Sequence, residues 1–501
     1  MHMINIELEH ITKIEGDASI SITVEDGKAT KVHFITEEYK RFFTEALKGK
    51  SILAVPSHLS RICGTCSNAH VLAAIEACEM ALDIQPTKQT MMLRALTLHG
   101  LTIRDHALHL YLFCMPDIYG KDAFLDFDEN DPHENQLLHD AFAIKSAGNF
   151  LATIIAGRSI HAMFPAIGGF IKYPDAEQVA QAIEKLESVR EATVRLVAEF
   201  EKCTFAFDRH TDYMALLPDE GYGYINGRIR TSKGEVYDEK LYRELVEHVV
   251  LPYSQASAYQ YKGDSYMVGA LARMNIARDK LHPKTKESCQ SALALFPSTN
   301  IFHNNLAQAI EIMHSVDESI DLLKNNPIVQ EDLVKMPYRE ATGIGVIEAP
   351  RGALYHKIHV GADGKIMDGE VIVPTGQNQI NIEEDCGRLV EDLVAKGVTD
   401  VEAITFELEK LIRAYDPCMS CAAAPNREER NEFSEEQQEI IEMYQQELRD
   451  LETWRNELLQ KCEANERDGK DCNALRQVIE DEYFEKELEL RQRAHYAEHS
   501  V

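Results

Sequence analysis

Two Cys-x-x-Cys pairs lie near opposite ends of the chain, and they constrain its fold more than any other feature. The pairs are Cys63 with Cys66 and Cys418 with Cys421, in a chain of 501 residues. Four thiolates that arrive as two pairs are suitable ligands for soft transition metals. A structural zinc module is the alternative, but its pairs usually lie about 12–20 residues apart, because a small unit folds around the ion. If the pairs share a metal, both ends of the chain must meet inside one large folded body.

Composition excludes several classes of partner. The formal net charge of −31 at pH 7 argues against binding to nucleic acid or to anionic membrane surfaces. The sequence contains no apolar run of about 18 residues and no signal peptide, which predicts a cytoplasmic protein without a membrane span. Four of the eleven cysteines form the two pairs. The others lack the spacing of a disulfide framework, so we expect free thiols in a reducing compartment.

Hydrophobic periodicity predicts a mostly helical α+β body over residues 1–425, with small N-terminal and central sheets. Apolar and polar residues alternate over 4–35, and Asp26-Gly27 marks a hairpin turn between two predicted strands. Glycines and prolines punctuate strand-like and loop-like sequence over 206–275 and 343–380. Apolar residues recur at helical spacing in the remaining segments, which are 67–117, 136–165, 175–205, 285–325 and 383–414.

The C-terminal segment, residues 426–501, differs in character from the rest. It is highly charged and nearly free of glycine and proline, and a break at 467–470 divides it. Its apolar residues form one stripe at helical spacing, which predicts a helical hairpin extension. A packed appendage and a docking arm for a partner are both compatible with this pattern. Recurring leucines, Trp454 and Phe484 argue against a disordered acidic tail.

The residues around the cysteines resemble a known family. Arg61-x-Cys63-Gly64-x-Cys66-x-x-x-His70 and Asp416-Pro417-Cys418-x-x-Cys421 are similar to the two metal-binding signatures of the nickel–iron hydrogenase large subunit. Further segments match in the family's order across roughly residues 4–421. They are Ile14-Glu15-Gly16, Gly157-Arg158-x-x-His161, Ala349-Pro350-Arg351-Gly352 with His356, and Val373-Pro374-Thr375. Each segment alone is weak evidence, but the ordered set is specific.

The resemblance implies a nickel–iron centre held by the four cysteines. Cys63 and Cys418 would be terminal nickel ligands, and Cys66 and Cys421 would bridge nickel and iron. The iron would carry cyanide and carbon monoxide ligands. His70 would donate a hydrogen bond to a bridging sulfur and so tune its charge.

The resemblance also assigns roles around the metals. Arg351 would lie over the open side of the centre, fixed by Pro350, Asp117 and Asp416, and would act electrostatically. Glu15 would be the first proton relay. Contacts to a cyanide ligand would come from two residues, Pro374 and Thr375.

Each of these side chains also has a purely structural interpretation. His70 could begin a helix, Asp117 and Glu15 could belong to turns, and Pro374-Thr375 could mark a strand end. For Arg158 and His161 the structural interpretation is preferred. The pair His106 and His109 has helical spacing that could be mistaken for a metal site, and we expect it to serve packing and hydrogen bonding.

Two departures from the family pattern are informative. The stretch Arg41-Phe42-Phe43-Thr44 lacks a glutamate found in many members, and Ala424 replaces a histidine. Both missing residues help those members to bind magnesium, so we predict no magnesium, or an ion held differently. The histidine also precedes the usual maturation cleavage, so its loss predicts that the C-terminal extension is retained.

The function implied by the resemblance is reversible heterolytic cleavage of dihydrogen, with electrons passed to an iron–sulfur small subunit. Further electron-transfer subunits, linked to flavin, nicotinamide or ferredoxin, are expected as partners. Two alternatives remain at this point. One is a hydrogen-sensing regulatory subunit that signals through the hairpin. The other is a scaffold resembling the quinone module of respiratory complex I, against which all four cysteines argue.

Overall fold

The computed structural model describes residues 3–39 and 42–423, together with 451, 454–455, 458–459, 461 and 486. The chain divides into two units, Met1–Asn426 and Arg427–Val501. In the second unit the few described residues are helical, and the Lys486 ammonium lies 4.9 Å from the centre of the Trp454 ring. The remainder of the predicted hairpin over 426–501 lies outside the described residues. The domain boundary therefore stays a prediction.

The N-terminal sheet is a three-stranded antiparallel meander, as the alternation predicts. Its strands are β1 (Met3–Leu8), β2 (Ala18–Glu25) and β3 (Lys28–Thr36), paired in that order. The inward face of β2 buries its alternate apolar residues against the core. Asp26 and Gly27 both have positive φ, which is the backbone that a two-residue hairpin turn requires.

Long helices form the body of the first unit. The α-helices of this half are α1 (Phe43–Leu47), α2 (Val55–Leu59), α3 (Ser67–Leu82), α4 (Lys88–Leu108), α5 (Met115–Tyr119), α6 (Pro132–Ala156) and α7 (Ala176–Glu201). A π-helical turn over His109–Cys114 joins α4 to α5. The predicted helix over 136–165 ends early, because Gly157 adopts a left-handed backbone, and β4 (Pro165–Ala166) and β5 (Gly169–Phe170) follow.

The middle of the chain is mainly short strands. They are β6 (Asp212–Leu217), β7 (Arg228–Thr231), β8 (Val236–Tyr237), β9 (Val246–Val249), β10 (Ala258–Tyr261) and β11 (Tyr266–Met267), with α8 (Tyr242–Leu245) between β8 and β9. One sheet has the order β11-β6-β7-β8, and β9 pairs with β10. The predicted helical stretch over 285–325 is divided among short helices and one long helix. The short helices are α10 (Pro283–Ser288) and α11 (Gln290–Leu293), and the long helix is α12 (His303–Asn325). Another helix, α9 (Ala270–Ala277), precedes this stretch.

The last part of the unit combines a sheet with the helices that lead to the second cysteine pair. Its elements are β12 (Ala341–Ala349), β13 (Gly352–Val360), β14 (Ile366–Ile372), α13 (Pro374–Ala395), α14 (Val401–Tyr415) and α15 (Met419–Ala422). The three strands are antiparallel in that order. Helix α13 begins at Pro374, well before the predicted start at 383, because proline is well suited to the first helical turn. The α+β fold class predicted from the sequence is confirmed.

Close contact between α3 and β12 holds the first cysteine pair beside the sheet. A Cβ atom at Gly343 would lie 1.9 Å from the Ala77 carbonyl oxygen, and one at Gly345 would lie 2.1 Å from the Ala73 oxygen. Only glycine permits this approach of strand to helix. Helix α3 is buried along nearly its whole length, which explains its apolar composition on all faces. None of the helices described is long and apolar enough to cross a membrane.

Candidate metal centre

The two cysteine pairs meet at a single buried cluster, as the sequence predicts. Their four sulfur atoms all lie within 4.8 Å of one another, and all four residues are buried. The Cys63 and Cys418 sulfurs are 3.3 Å apart, and those of Cys66 and Cys421 are 3.1 Å apart. Each short distance therefore joins one cysteine from the first pair to one from the second.

The protonation of the four thiols depends on burial and on their mutual contacts. Hydrogen bonds from Cys418 and its neighbours lower the pKa of Cys63 well below its usual range, whereas burial raises the pKa of Cys418 well above it. Burial thus opposes the simultaneous ionisation of all four thiols. A bound cation removes this penalty, because coordinating thiols are deprotonated. The donor set suits a soft, thiolate-binding metal.

Backbone contacts from three parts of the chain fix the second pair. Helix α14 ends at Tyr415, and the left-handed backbone of Asp416 turns the chain toward Cys418. The amide of Cys418 donates to the Thr375 hydroxyl oxygen at 3.0 Å, and the amide of Met419 donates to the Glu15 carbonyl at 2.9 Å. Glu15 and Cys418 also form a parallel β-bridge. Residues from both ends of the chain therefore build one loop framework around the sulfurs.

Glu15 has the position expected of a group that exchanges a proton with the centre. Its Oε2 atom accepts from the Cys418 thiol at 3.0 Å and from the Ser420 amide at 3.1 Å. Burial, followed by the negative charge of Cys63, raises the pKa of this carboxyl. Glu15 is nevertheless only half-buried, so it can connect the cluster to the protein surface.

Arg351 occupies the turn between β12 and β13 and is held by charged and backbone acceptors. Its Nε donates to the Asp416 carbonyl, one terminal nitrogen to the Asp416 carboxylate and the other to Asp105, each at 2.8 Å. Burial alone would lower the pKa of Arg351, but Asp105 and Asp416 raise it well above its ordinary value. The guanidinium is therefore a permanent positive charge beside the sulfurs.

The prediction that Asp117 helps to fix Arg351 is wrong. The Asp117 carboxylate instead receives Arg413 at 2.8 and 2.9 Å and Lys13 at 2.9 Å. The π-helical turn between α4 and α5 separates Asp117 from Asp105, and it is Asp105, buried on α4, that reaches the guanidinium. In the sequence, Asp105 directly precedes His106.

A second buried arginine, which the sequence analysis missed, supports the Arg351 loop. Arg273 on α9 donates to the Pro350 carbonyl at 2.9 Å. It also forms a bidentate ion pair with the Glu311 carboxylate, at 2.6 and 2.7 Å. It also contacts Glu348 at 2.6 Å. Burial raises the pKa of Glu348 to about 7. Pro350 thus contributes to the site through its carbonyl group, and only the three-dimensional structure shows what holds it.

His70 is buried and contacts both a sulfur of the cluster and a second histidine. Its Nε2 atom is 3.6 Å from the Cys421 sulfur, and its Nδ1 atom is 3.0 Å from Nε2 of His356. Both rings are fully buried. Burial lowers the pKa of His70 to about 4 and that of His356 well below its usual value, so both rings are neutral.

Pro374 and Thr375 lie at the start of α13, next to the second cysteine pair. The Thr375 oxygen already accepts the Cys418 amide, which leaves its hydroxyl proton available for another acceptor. The structure therefore brings Thr375 to the cluster and places Pro374 at the same helix terminus.

The remaining histidines take the structural roles expected of them. His106 lies 2.8 Å from Glu311, and His109 lies 2.6 Å from the Gln308 side chain and 2.8 Å from the Arg413 carbonyl. The His161 amide donates to Ser67. Arg158 is exposed. In the predicted magnesium region, Thr44 is buried, whereas Arg41 and Ala424 lie outside the described residues, so the absence of magnesium stays a prediction.

The chain carries exposed residues on both sides of Cys63. Arg61 and Gly64 are exposed, although Cys63 between them is buried. Exposed apolar side chains occur in segments that line the same cleft, which include Leu53 at 57 % and Met163 at 58 % exposure. The exposed part of the Cys63 loop therefore lies beside this cleft.

Comparisons with known proteins agree with this geometry. A family model described as nickel-dependent hydrogenase matches residues 41–136 and 231–424. Sulfhydrogenase 1 subunit alpha of Pyrococcus furiosus is 32% identical over 425 residues, which cover 83% of this chain and 97% of that protein. The NAD-reducing hydrogenase HoxS subunit beta of Cupriavidus necator is 25% identical, with coverage of 83% and 93%.

A solved structure shows the same fold. An NAD+-reducing [NiFe]-hydrogenase in the H2-reduced state superposes with a TM-score of 0.74 at 24% identity, covering 84% of this chain and 99% of that one.

Proposed function

The chain belongs to the nickel-dependent hydrogenase family, and from this premise we propose that its four cysteines hold a nickel–iron centre that cleaves dihydrogen. The protein is a hydrogenase large subunit and an oxidoreductase. The observation that carries the proposal is the buried cluster of four sulfurs within 4.8 Å, assembled from both ends of the chain. When bound, the centre would supply the soft, redox-active metals that heterolysis of dihydrogen needs.

The contacts of the cysteines support different roles for them, two as terminal and two as bridging ligands. Cys63 and Cys418 would be terminal nickel ligands, since Cys418 contacts the proton-accepting Glu15. Cys66 and Cys421 would bridge nickel and iron, and Cys421 lies beside the buried His70.

Cyanide and carbon monoxide ligands on iron would find donors at two residues. Three N–H groups of Arg351 are engaged by Asp105 and Asp416, and an arginine carries five, so two remain free to face a ligand. The hydroxyl proton of Thr375 is also available, because the Thr375 oxygen accepts from the Cys418 amide and does not donate to it. Pro374 would pack against the same ligand.

Arg351 would act as a fixed charge rather than as a base. Asp105 and Asp416 raise its pKa well above the ordinary value, so the guanidinium keeps its proton at any physiological pH. A preorganised cation in a dry site stabilises developing negative charge without reorganisation. Glu15 is therefore the better proton acceptor, because its carboxylate oxygen already lies 3.0 Å from the Cys418 sulfur.

Electrons would leave through an iron–sulfur small subunit. Among the described residues the four cysteines form the only cluster of potential metal ligands, so this part of the chain has no relay of its own. The partner would cover the exposed Arg61 and Gly64 beside Cys63. The named relatives include an NAD-reducing enzyme, which supports a cytoplasmic complex with further electron-transfer subunits linked to flavin, nicotinamide or ferredoxin.

The C-terminal extension would remain in the mature protein and assist assembly with a partner. Intact-mass measurement tests retention, and a species that ends near Ala424 would refute it. Deletion of residues 426–501 tests the second point. We expect weaker association with partner subunits and unchanged nickel content in the complex that still forms. Failure of the truncated chain to load nickel would make the extension a maturation element instead.

The proposed centre is tested by metal analysis and infrared spectroscopy of the purified complex. We expect nickel and iron in equal amounts, infrared bands of metal-bound cyanide and carbon monoxide, and reduction of a dye by dihydrogen. A complex that contains zinc alone, shows no such bands and does not oxidise dihydrogen would overturn the proposal. No observation favours the sensor alternative.

A further inference from the structure

In the buried histidine pair His70–His356, one ring nitrogen has no hydrogen-bond partner among the described residues. His356 lies on β13 and is fully buried, and among the described residues its Nδ1 atom contacts no hydrogen-bonding group. Burying such an atom without a partner costs roughly 1–3 kcal/mol. A protein retains such a cost where the group has another role. The only polar contact that the structure gives the His356 ring is the one to His70.

The pair admits two arrangements of protons. Both rings are neutral, since each is fully buried without a carboxylate contact, and a neutral imidazole carries one N–H. The two facing nitrogens are 3.0 Å apart, so one donates and the other accepts. In the first arrangement His356 donates to Nδ1 of His70, and the His70 proton then lies on Nε2. In the second, His70 donates from Nδ1, and its Nε2 carries a lone pair.

The sulfur of Cys421 distinguishes these arrangements. It lies 3.6 Å from Nε2 of His70. A metal-bound thiolate can only accept a hydrogen bond, so a lone pair on Nε2 would repel it. The second arrangement would also leave a buried N–H on the Nδ1 atom of His356 without an acceptor. The first arrangement satisfies the sulfur and leaves only an unpaired lone pair.

We propose that His356 is a positioning residue that fixes the tautomer of His70, so that the Nε2–H of His70 donates to the Cys421 sulfur. This inference rests on the proposed nickel–iron centre. A ring nitrogen that receives a hydrogen bond sets the tautomer of the other nitrogen, and such outer contacts tune a metal ligand. The donated N–H withdraws electron density from the sulfur and thereby from the metal.

The infrared spectrum of the purified holoenzyme tests this role. In His356→Phe the donor is lost while a ring of similar size fills the space. We expect the carbonyl band to move to lower wavenumber, because the sulfur keeps more electron density. Turnover should fall by about tenfold, which is typical when an outer contact of a metal ligand is removed. His356→Gln keeps an N–H donor and should restore the native band position.

Three controls separate the proposal from simpler explanations. His359→Gln changes a partly exposed histidine on the same strand and should leave the spectrum unchanged. In a His70→Phe background, adding His356→Phe should produce no further band shift, because His356 acts through His70. His356→Met also lacks the donor. If His356→Phe does not load metal, the carbonyl band of His356→Met tests the same prediction.

Each result has a distinct meaning. The proposal is overturned if His356→Phe or His356→Met shows the native band, if His356→Gln shifts as far as they do, or if the shift persists without His70. It also falls if neither donor-free variant loads nickel, since His356 would then serve folding. Absence of the carbonyl and cyanide bands from the native complex would instead refute the proposed centre itself.

Discussion

The two sides of the cysteine cluster are built by different means. The arginine side, formed by Arg351, Asp105 and Asp416, carries permanent charges that are matched by hydrogen bonds at 2.8 Å. The histidine side, formed by His70 and His356, is neutral and leaves one buried nitrogen without a partner. Burial tolerates a charge only when it is paired, whereas a neutral ring can be left partly unsatisfied at a smaller cost.

This contrast separates two tasks. The arginine side supplies a strong fixed field, which requires ionised groups locked in one geometry. The histidine side adjusts a single sulfur, which requires only one well-aimed N–H. Replacing Arg351 itself should therefore lower turnover more than replacing His356, whose loss should also shift the infrared spectrum.

Replacing Cys418 with serine should have the largest effect, because it removes the site that both sides serve. A hydroxyl is a poor ligand for a soft metal at neutral pH. We expect loss of nickel and of all hydrogenase activity, measured by metal analysis and hydrogen uptake. Cys203→Ser, at a half-buried cysteine outside the cluster, is the matched control and should retain both. Full nickel content in the Cys418 variant would contradict the site.

Glu15→Gln should leave the metals in place and nearly stop turnover. Glutamine keeps the shape of the side chain and can still contact Cys418, but it cannot relay a proton. We expect activity to fall by about a hundredfold or more. Metal analysis and the infrared spectrum should show an assembled site. If dihydrogen uptake continues at the native rate, the proton leaves the cluster by another route.

Arg351→Lys should weaken the arginine side without removing its positive charge. Lysine cannot reproduce the fork that binds Asp105 and Asp416 together. We expect turnover to decrease by about 10²–10³-fold, as when a preorganised donor is lost from a reaction site. Nickel content should be retained. Steady-state kinetics on the metal-loaded complex measures the effect, and near-native turnover would show that charge alone is sufficient.

Asp105→Asn and Asp117→Asn form a matched pair that sharpens the comparison. Asp105 contacts Arg351, so its variant should lose about tenfold in turnover. Asp117 contacts Arg413 and Lys13 instead. Its variant should lose about 3 kcal/mol of stability, because a buried ion pair is broken. Turnover per loaded site should remain close to native. Steady-state kinetics and thermal unfolding are measured for both variants. Equal losses of turnover would show that Asp117 supports Arg351 as Asp105 does.

The sequence alone was sufficient for much of the site. The cysteine pairs, His70, Glu15 and Arg351 lie in short motifs whose local order is visible in the chain, and the structure brings all of them to one cluster. Strand alternation and helical periodicity predicted the α+β class, because these patterns arise from backbone geometry and burial. The helix predicted over 136–165 was too long, because Gly157 ends α6.

Only the tertiary structure decided which distant side chains pair. Asp105 and Asp117 are both acidic residues near the ends of helical segments, and their sequence does not show which one faces Arg351. In the structure Asp105 contacts Arg351, whereas Asp117 contacts Arg413 and Lys13. The support of Pro350 by Arg273 and the pairing of His70 with His356 likewise join residues from separate elements. Motifs record what a short segment needs, whereas hydrogen bonds between segments depend on distances that exist only after the core has packed.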